Sequence, residues 1–298
     1  MGIDIEGYLS ENKRLVDEAL ESYLGNGNPG PTRLREAMRY SALAGGKRLR
    51  PILMIASCGA VGGEREKVLP VACALEMIHT YSLVHDDLPS MDDDALRRGM
   101  PTNHKVYGEA TAILAGDALL TDAFSLIVKE GREAGIDSGV LCEVVGDISS
   151  AAGSSGMIEG QALDLMLTDT EEVSLGDVER MHTLKTGAMI TVAVRTGGRI
   201  GGADGNDLKR LSSYGSSIGL AFQIIDDLLD IEGEGDLGKE RGGDARHGKS
   251  TYPEIAGIEA SKRKAAELTR SAIQQLRDFD DRAEPLREIA RYLGCRTF

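Results

Sequence analysis

Residues 75–94 read LEMIHTYSLVHDDLPSMDDD, and the fold follows from how that stretch ends. Leu75, Met77, Ile78, Tyr81, Leu83 and Val84 recur at helical spacing, so the first half predicts a helix with an apolar face. Asp86 and Asp87 close it, because Pro89 lacks a backbone donor and disfavours helical geometry in the residue before it. Asp92, Asp93 and Asp94 follow at once, so DDLPSMDDD can fold carboxylates from two segments towards one point. Further along, FQIIDDLLD at 222–230 has no proline, and its spacing stacks Asp226, Asp227 and Asp230 on one face of a helix.

The same periodicity runs outward in both directions, through Leu15, Ala19, Leu20 and Tyr23 and through Leu208, Leu211, Tyr214 and Ile218. The best strand-like run, Met189 to Val194, continues a helical pattern, so the chain reads as all-α. Breaks are expected at 25–32, 59–63, 88–104, 131–139, 196–206 and 232–250. Ser174 and Asp177 have capping-box spacing at the start of a helix carrying Glu179, His182 and Lys185. No linker-like shift or repeat divides the 298 residues, so residues 1–298 are expected to form one domain.

Composition removes several function classes. Forty-eight acids against 34 bases leave −14, and no basic stripe offsets it, so nucleic acid is not expected as a partner. Hydrophobic residues at 41% suffice for a core, while the absence of an uninterrupted apolar run of about 18 residues argues against a membrane span. Cys58, Cys73, Cys142 and Cys295 are widely spaced and form no CxxC pair, which fits reduced thiols in a cytoplasm. The start of the chain has no basic-then-apolar signal design.

Bunched carboxylates repel unless cations neutralise them, and all-oxygen donors favour hard ions such as Mg²⁺. An acidic stretch beside a loop is often only a solvated face, but Tyr81–Val84 and Phe222–Ile225 flank these two with apolar residues. Magnesium takes one or two carboxylates and completes its shell with water and phosphate, which suits two open rows. The cations of GGKRLRP at 45–51, Arg97-Arg98, Lys185, Lys239 and Lys249 lie near glycines or turns and are candidate phosphate contacts. His79 alone reads as a core or interface histidine.

GGKRLRP at 45–51, HDDLPSMDDDALRRGMPTNH at 85–104, LKTG at 184–187, FQIIDDLLD at 222–230 and GKSTYP at 248–253 together resemble the short-chain trans-isoprenyl diphosphate synthases. The bacterial-type farnesyl and geranylgeranyl diphosphate synthases are most similar, with Leu88 to Met91 separating Asp87 from Asp92. The resemblance implies a bundle of antiparallel helices around a deep central cavity, a homodimer, and isopentenyl and allylic diphosphates as substrates. It also implies that Asp86, Asp87, Asp92, Asp226, Asp227 and Asp230 hold about three Mg²⁺ ions per active site. Arg97, Lys185 and Lys239 would hold the allylic diphosphate, and Lys47, Arg50, His79 and Arg98 isopentenyl diphosphate, with Lys249 among the substrate contacts. Thr186 and Gln223 would turn oxygens to the developing cation. Tyr81 and Ser82 stand about one turn deeper than Asp86, where a phenol would stop chain growth early or simply pack in the core.

Other patterns are set aside on context. Gly243 to Ser250 satisfies GxxxxGK[ST], and Gly233, Gly235 and Gly238 fit GxGxxG, but neither follows a buried strand. A calcium loop starting at Asp230 would have Arg241 where a bidentate Glu belongs. The terminal CRTF lacks aliphatic middle positions, so Cys295 is not expected to be prenylated. The sequence thus predicts a Mg²⁺-dependent synthase making farnesyl diphosphate, with geranylgeranyl diphosphate as the alternative product. A terpene cyclase would not need GGKRLRP, and a silent partner subunit would not need both acidic rows.

Overall fold

The computed structural model describes residues 3–25, 32–168, 170, 172–232 and 250–295. Helices α1 (Ile5–Gly25), α2 (Arg33–Ala42), α3 (Leu49–Ala60) and α4 (Arg65–Asp86) lead to a short hairpin, β1 (Leu96–Arg97) and β2 (Met100–Pro101). Then come α5 (Asn103–Tyr107), α6 (Glu109–Glu133), α7 (Ser138–Ala152), α8 (Met157–Thr168) and α9 (Leu175–His182). A π-helical turn (Thr183–Gly187) joins α9 to α10 (Ala188–Gly201), which is followed by α11 (Gly205–Glu232). The chain continues through α12 (Tyr252–Ala256) and α13 (Ile258–Gln275), a 3₁₀ turn at Asp281–Ala283, and α14 (Glu284–Cys295). The fold is all-α, as the periodicity predicts.

Met189–Val194 lies inside α10, and the Ser174–Asp177 capping box opens α9. The break expected at 196–206 is narrower than the glycines suggest, because α10 runs on to Gly201. A Cβ on Gly197 would lie 2.0 Å from the Met54 carbonyl oxygen, so that glycine serves close packing of α10 on α3. The breaks expected at 25–32 and 232–250 fall largely outside the described residues.

Helix α4 packs against α6 and α3, and α11 against α10 and α13. One core cluster joins Leu75, Ile78 and Tyr81 of α4 to Leu119 and Ile127 of α6. A second gathers Ile52 and Leu53 of α3, Val194 of α10 and Tyr214 and Ile218 of α11 over Leu286 and Leu293 of α14. A third holds the far half of α11, Ile224 and Leu228, against Val178 of α9 and Tyr252 of α12. Both acidic rows are therefore carried at the ends of buried helices, which limits how far their backbones can drift.

By composition α4 and α6 are each long and apolar enough to cross a membrane, with mean hydropathy of 1.2 and 1.6 over 18 residues, more than the sequence reading allowed for. Most of that stretch in α4 is buried, which makes it a core helix, but only 33% of it in α6 is. Ile113, Leu114 and Val128 of α6 are exposed. All four cysteines are free thiols, two buried and two exposed.

Candidate active site

Helix α4 ends at Asp86, and the following loop curls back so that the Asp92 amide donates to the Asp86 carbonyl at 2.9 Å. That bond draws the backbones of the two half-exposed aspartates together at the helix end. Asp93 supports the curl from the left-handed region, φ 48°, with its amide on the Leu88 carbonyl. The other end of the loop is held by the Thr102 hydroxyl, which donates to the Asp94 carbonyl.

Asp87 is held differently from Asp86. It is buried and accepts from Arg97 Nε at 2.6 Å. Burial would lower the Arg97 pKa, but the hydrogen bond and charge of Asp87 outweigh it and raise the pKa. Arg97 thus clamps the acidic loop, with Asp87 as its partner.

The second row divides in the same way. Asp226 and Asp230 are half-exposed one turn apart on α11, whereas Asp227 points into the protein. Asp227 Oδ2 accepts from His182 Nε2 at 2.9 Å and from the Tyr252 amide at 2.9 Å, and Oδ1 accepts from Gln223 Nε2 at 3.3 Å. Both Asp227 oxygens thus take protein donors, which fixes the carboxylate against α9 and α12.

Among the described residues no three acids, histidines or cysteines converge into a metal cage. The half-exposed aspartates, Asp86 and Asp92 at and after the end of α4 and Asp226 and Asp230 on α11, are all oxygen donors. Such a set fits Mg²⁺, which takes few protein ligands and fills its shell with water and diphosphate oxygens.

Basic groups lie near each row, Arg97 by Asp86 and Arg50 by Asp226. Arg50, in the first turn of α3, is half-buried with its Nε shut from solvent. Burial and the charge of Arg98 depress its pKa, while Glu76 and Asp226 oppose that shift, so Arg50 feels the second acidic row. Burial holds His79 well below the usual imidazole value, and Arg50, Arg98, Arg97 and Arg48 add to the effect. His79 is therefore neutral and can give or accept a hydrogen bond beside a strongly positive wall. Arg98 bonds the Gly45 carbonyl, and a Cβ on Gly46 would lie 2.6 Å from its guanidinium carbon, so Gly46 makes room for Arg98. Lys47 is exposed, with its ammonium 5.9 Å from the centre of the Phe222 ring.

Arg48, grouped with these cations by sequence, turns the other way. Fully buried at φ 51°, it donates to Asp17 at 2.8 Å, Glu76 at 2.8 Å and the Ala42 carbonyl at 2.6 Å. Removing one partner of such a buried set costs about 3–5 kcal/mol, so Arg48 holds the loop that presents Lys47 and Arg50 and is not itself a phosphate contact.

Lys185 and Thr186 project from the π turn. Lys185 Nζ lies 2.7 Å from buried Asp164 Oδ2 on α8, and the Thr186 hydroxyl donates to Gln223 Oε1 at 2.8 Å. Asp164 and His182 were missed by sequence reasoning. A lone acid in the apolar run ALDLML at 162–167 was the available signal for Asp164, since a buried carboxylate needs a partner. Gln161, one turn earlier, has both amide atoms buried without a hydrogen bond. Tyr81 is 6% exposed, edge-on to His85 at 5.7 Å, and its hydroxyl makes no hydrogen bond; burial pushes its pKa up to about 12. Ser82 donates to the His79 carbonyl at 2.8 Å. Lys239 and Lys249 lie outside the described residues.

A sequence model described as polyprenyl synthetase matches residues 31–290. The chain is 45% identical to a farnesyl diphosphate synthase from Geobacillus stearothermophilus, over 99% of this chain and 98% of that one. It is also 45% identical to a geranylgeranyl diphosphate synthase from Cyanophora paradoxa, over 97% and 96% of the two chains. Among solved structures, an FPP/GFPP synthase from Zymomonas mobilis superposes with a TM-score of 0.88 at 38% identity, covering 98% of this chain and 100% of that one.

Proposed function

The chain belongs to the polyprenyl synthetase family, and from that premise we propose that it joins isopentenyl diphosphate head-to-tail to dimethylallyl and then geranyl diphosphate, giving farnesyl diphosphate. The observation that carries this reading is the setting of Arg50. It stands among Arg98 and neutral His79 on one side and feels Asp226 on the other, so a metal-free anion site adjoins an acidic row. Two differently built diphosphate sites side by side suit a reaction between two diphosphates, whereas a cyclase has one to bind.

Asp86, Asp92, Asp226 and Asp230 would hold Mg²⁺, which when bound neutralises the charge gathering on the leaving diphosphate. Arg97 and Lys185, steadied by Asp87 and Asp164, add fixed positive charge on the same side. Lys47, Arg50, His79 and Arg98 hold the second diphosphate and so aim the isopentenyl double bond at the allylic carbon, which turns an encounter into an intramolecular attack. Thr186 and Gln223 present oxygens to the positive carbon as the bond to oxygen breaks. The departing diphosphate takes the proton, since no side-chain base stands free for it in this scheme. The apolar walls of α4 and α6 keep water from the cation.

Tyr81, buried about one turn below Asp86, is our reason for preferring the fifteen-carbon product over the twenty-carbon one, because a ring there would stop a growing chain early. The protomer would be a single domain and pair with a second copy through the exposed apolar face of α6, with free thiols suited to a reducing cytoplasm. Incubation with isopentenyl and geranyl diphosphates and Mg²⁺, with chromatography of the products, tests the reading. Farnesyl diphosphate is expected; failure to elongate overturns the function, and a predominantly twenty-carbon product overturns the chain-length assignment.

A further inference from the structure

His182 is buried at the end of α9, outside every motif singled out in the sequence, with its imidazole aimed at the inner face of the second acidic row. A carboxylate only accepts, so the 2.9 Å contact with Asp227 requires His182 to carry its proton on Nε2. The Tyr252 amide shares the same oxygen, and Gln223 Nε2 donates to the other. These bonds decide which end of the Gln223 amide is nitrogen, and hence that its Oε1 faces Thr186. The Thr186 hydroxyl must then give its proton to that oxygen, which leaves the Thr186 lone pairs pointing away from the chain of bonds. Reversing any member would place an N–H or O–H where an oxygen lone pair belongs.

We propose that His182 is a positioning residue for the condensation: it holds Asp227 in the rotamer whose Oδ1 meets Gln223, and Asp227, which can only accept, then sets the polarity of Gln223 and Thr186, so that oxygen lone pairs, and no donor, face the carbon that becomes positive. The inference rests on the prenyl-transfer reading and deepens it. His182 touches neither substrate nor metal in this scheme; it holds Asp227, which Asp226 and Asp230 flank on the same helix. Its removal therefore affects the bond-breaking step more than diphosphate binding. Tyr252 keeps one tie on Asp227 Oδ2 when His182 changes, so the carboxylate stays in the fold but can turn about that bond, and Oδ1 then no longer holds Gln223 in one orientation.

The test compares the full-length wild type with His182→Ala and His182→Gln in steady-state condensation of isopentenyl and geranyl diphosphates, with melting curves for each. His182→Ala is expected to lower kcat about 10–100-fold, the scale of a small misplacement, with KM for both diphosphates and the half-saturating Mg²⁺ within about twofold. His182→Gln, whose amide can donate to Asp227, is expected to recover most of the loss. A rise in KM or Mg²⁺ requirement matching the loss of kcat, or a Gln variant that melts like wild type yet is as slow as the Ala variant, overturns the proposal. Nitrogen NMR of the histidine-labelled wild type reads the same bond without turnover: a hydrogen-bonded Nε2–H form of His182 is expected, and the Nδ1–H form overturns it. Failure of the wild type to elongate would instead sink the prenyl-transfer reading, while the NMR result would still report on the His182–Asp227 bond.

Discussion

Within each acidic motif, neighbouring aspartates have opposite fates. Asp86 and Asp226 stay half-exposed, whereas Asp87 and Asp227 are buried with protein donors of 2.6 and 2.9 Å. On a helix or at its end, consecutive side chains point about a quarter-turn apart, so one can face the cleft only if the next faces a neighbour. Replacing Asp226 by Ala should lower turnover by about 10²-fold or more with the circular dichroism unchanged, because stabilisation of the leaving group is what is lost. Turnover close to wild type would remove Asp226 from the site. Tyr81→Ala opens space about one turn below Asp86 and should lengthen the product, as read by chromatography. An unaltered product spectrum would make Tyr81 a packing residue only. Its hydroxyl forms no hydrogen bond that the change would break, so the fold is expected to survive.

Between residues and the whole bundle, the π turn Thr183–Gly187 is the element on which most of the site depends. π turns add a residue to a helix and commonly occur at functional sites, since they swing the side chains that follow out of register. Here the turn sends Lys185 to Asp164 and Thr186 to Gln223. It is gripped from two sides by backbone contact: a Cβ on Gly160 of α8 would lie 2.2 Å from the Lys185 nitrogen, and one on Gly219 of α11 2.7 Å from the Gly187 Cα. Neither neighbour can yield without moving main chain. Gly160→Ala should therefore cost about 1–3 kcal/mol in chemical denaturation and displace Lys185, with activity falling further than stability alone explains. A variant as active and stable as wild type would show that α8 can back away. The acidic loop depends on a similar fit, since a Cβ on Gly116 of α6 would overlap the His85 ring that bonds the Ile113 carbonyl beside Asp86.

At the scale of the molecule, α6 connects the site to the outside. Its inner side supports α4 and His85, and its outer side exposes Ile113 at 44%, Leu114 at 56% and Val128 at 43%. A contiguous exposed apolar patch marks an association face, and we take these residues of α6 as part of one. Leu114→Glu should convert the proposed homodimer to a monomer by sedimentation velocity, and product formation should fall with it, because α6 braces the end of α4 that carries Asp86. A wild-type chain that sediments as a monomer would refute this interface. The buried Arg48, Glu76 and Asp17 set has its reach at the same scale, since it ties α1, α4 and the loop before α3 into one frame for Lys47 and Arg50.

Helical periodicity, the proline after Asp87 and the two carboxylate rows were legible in the sequence because they are local: residue spacing along one helix determines which side chains share a face. The capping box at Ser174 and the end of α4 at Asp86 are legible for the same reason. What a neighbouring element does to a side chain is not written in spacing. Nothing in GGKRLRP says that Arg48 turns inward to Glu76, 28 residues away, while Arg50 stays at the site, and nothing in IIDDLLD says that Asp227 meets His182 and Tyr252. Those partners come from distant chain, and a buried charge takes the orientation in which it is paired. The sequence by itself therefore determined an all-helical chain with two acidic rows and a basic loop; only the packing decided which of each pair of adjacent charges stays half-exposed and which is paired inside, because a buried charge must find its partner on another element.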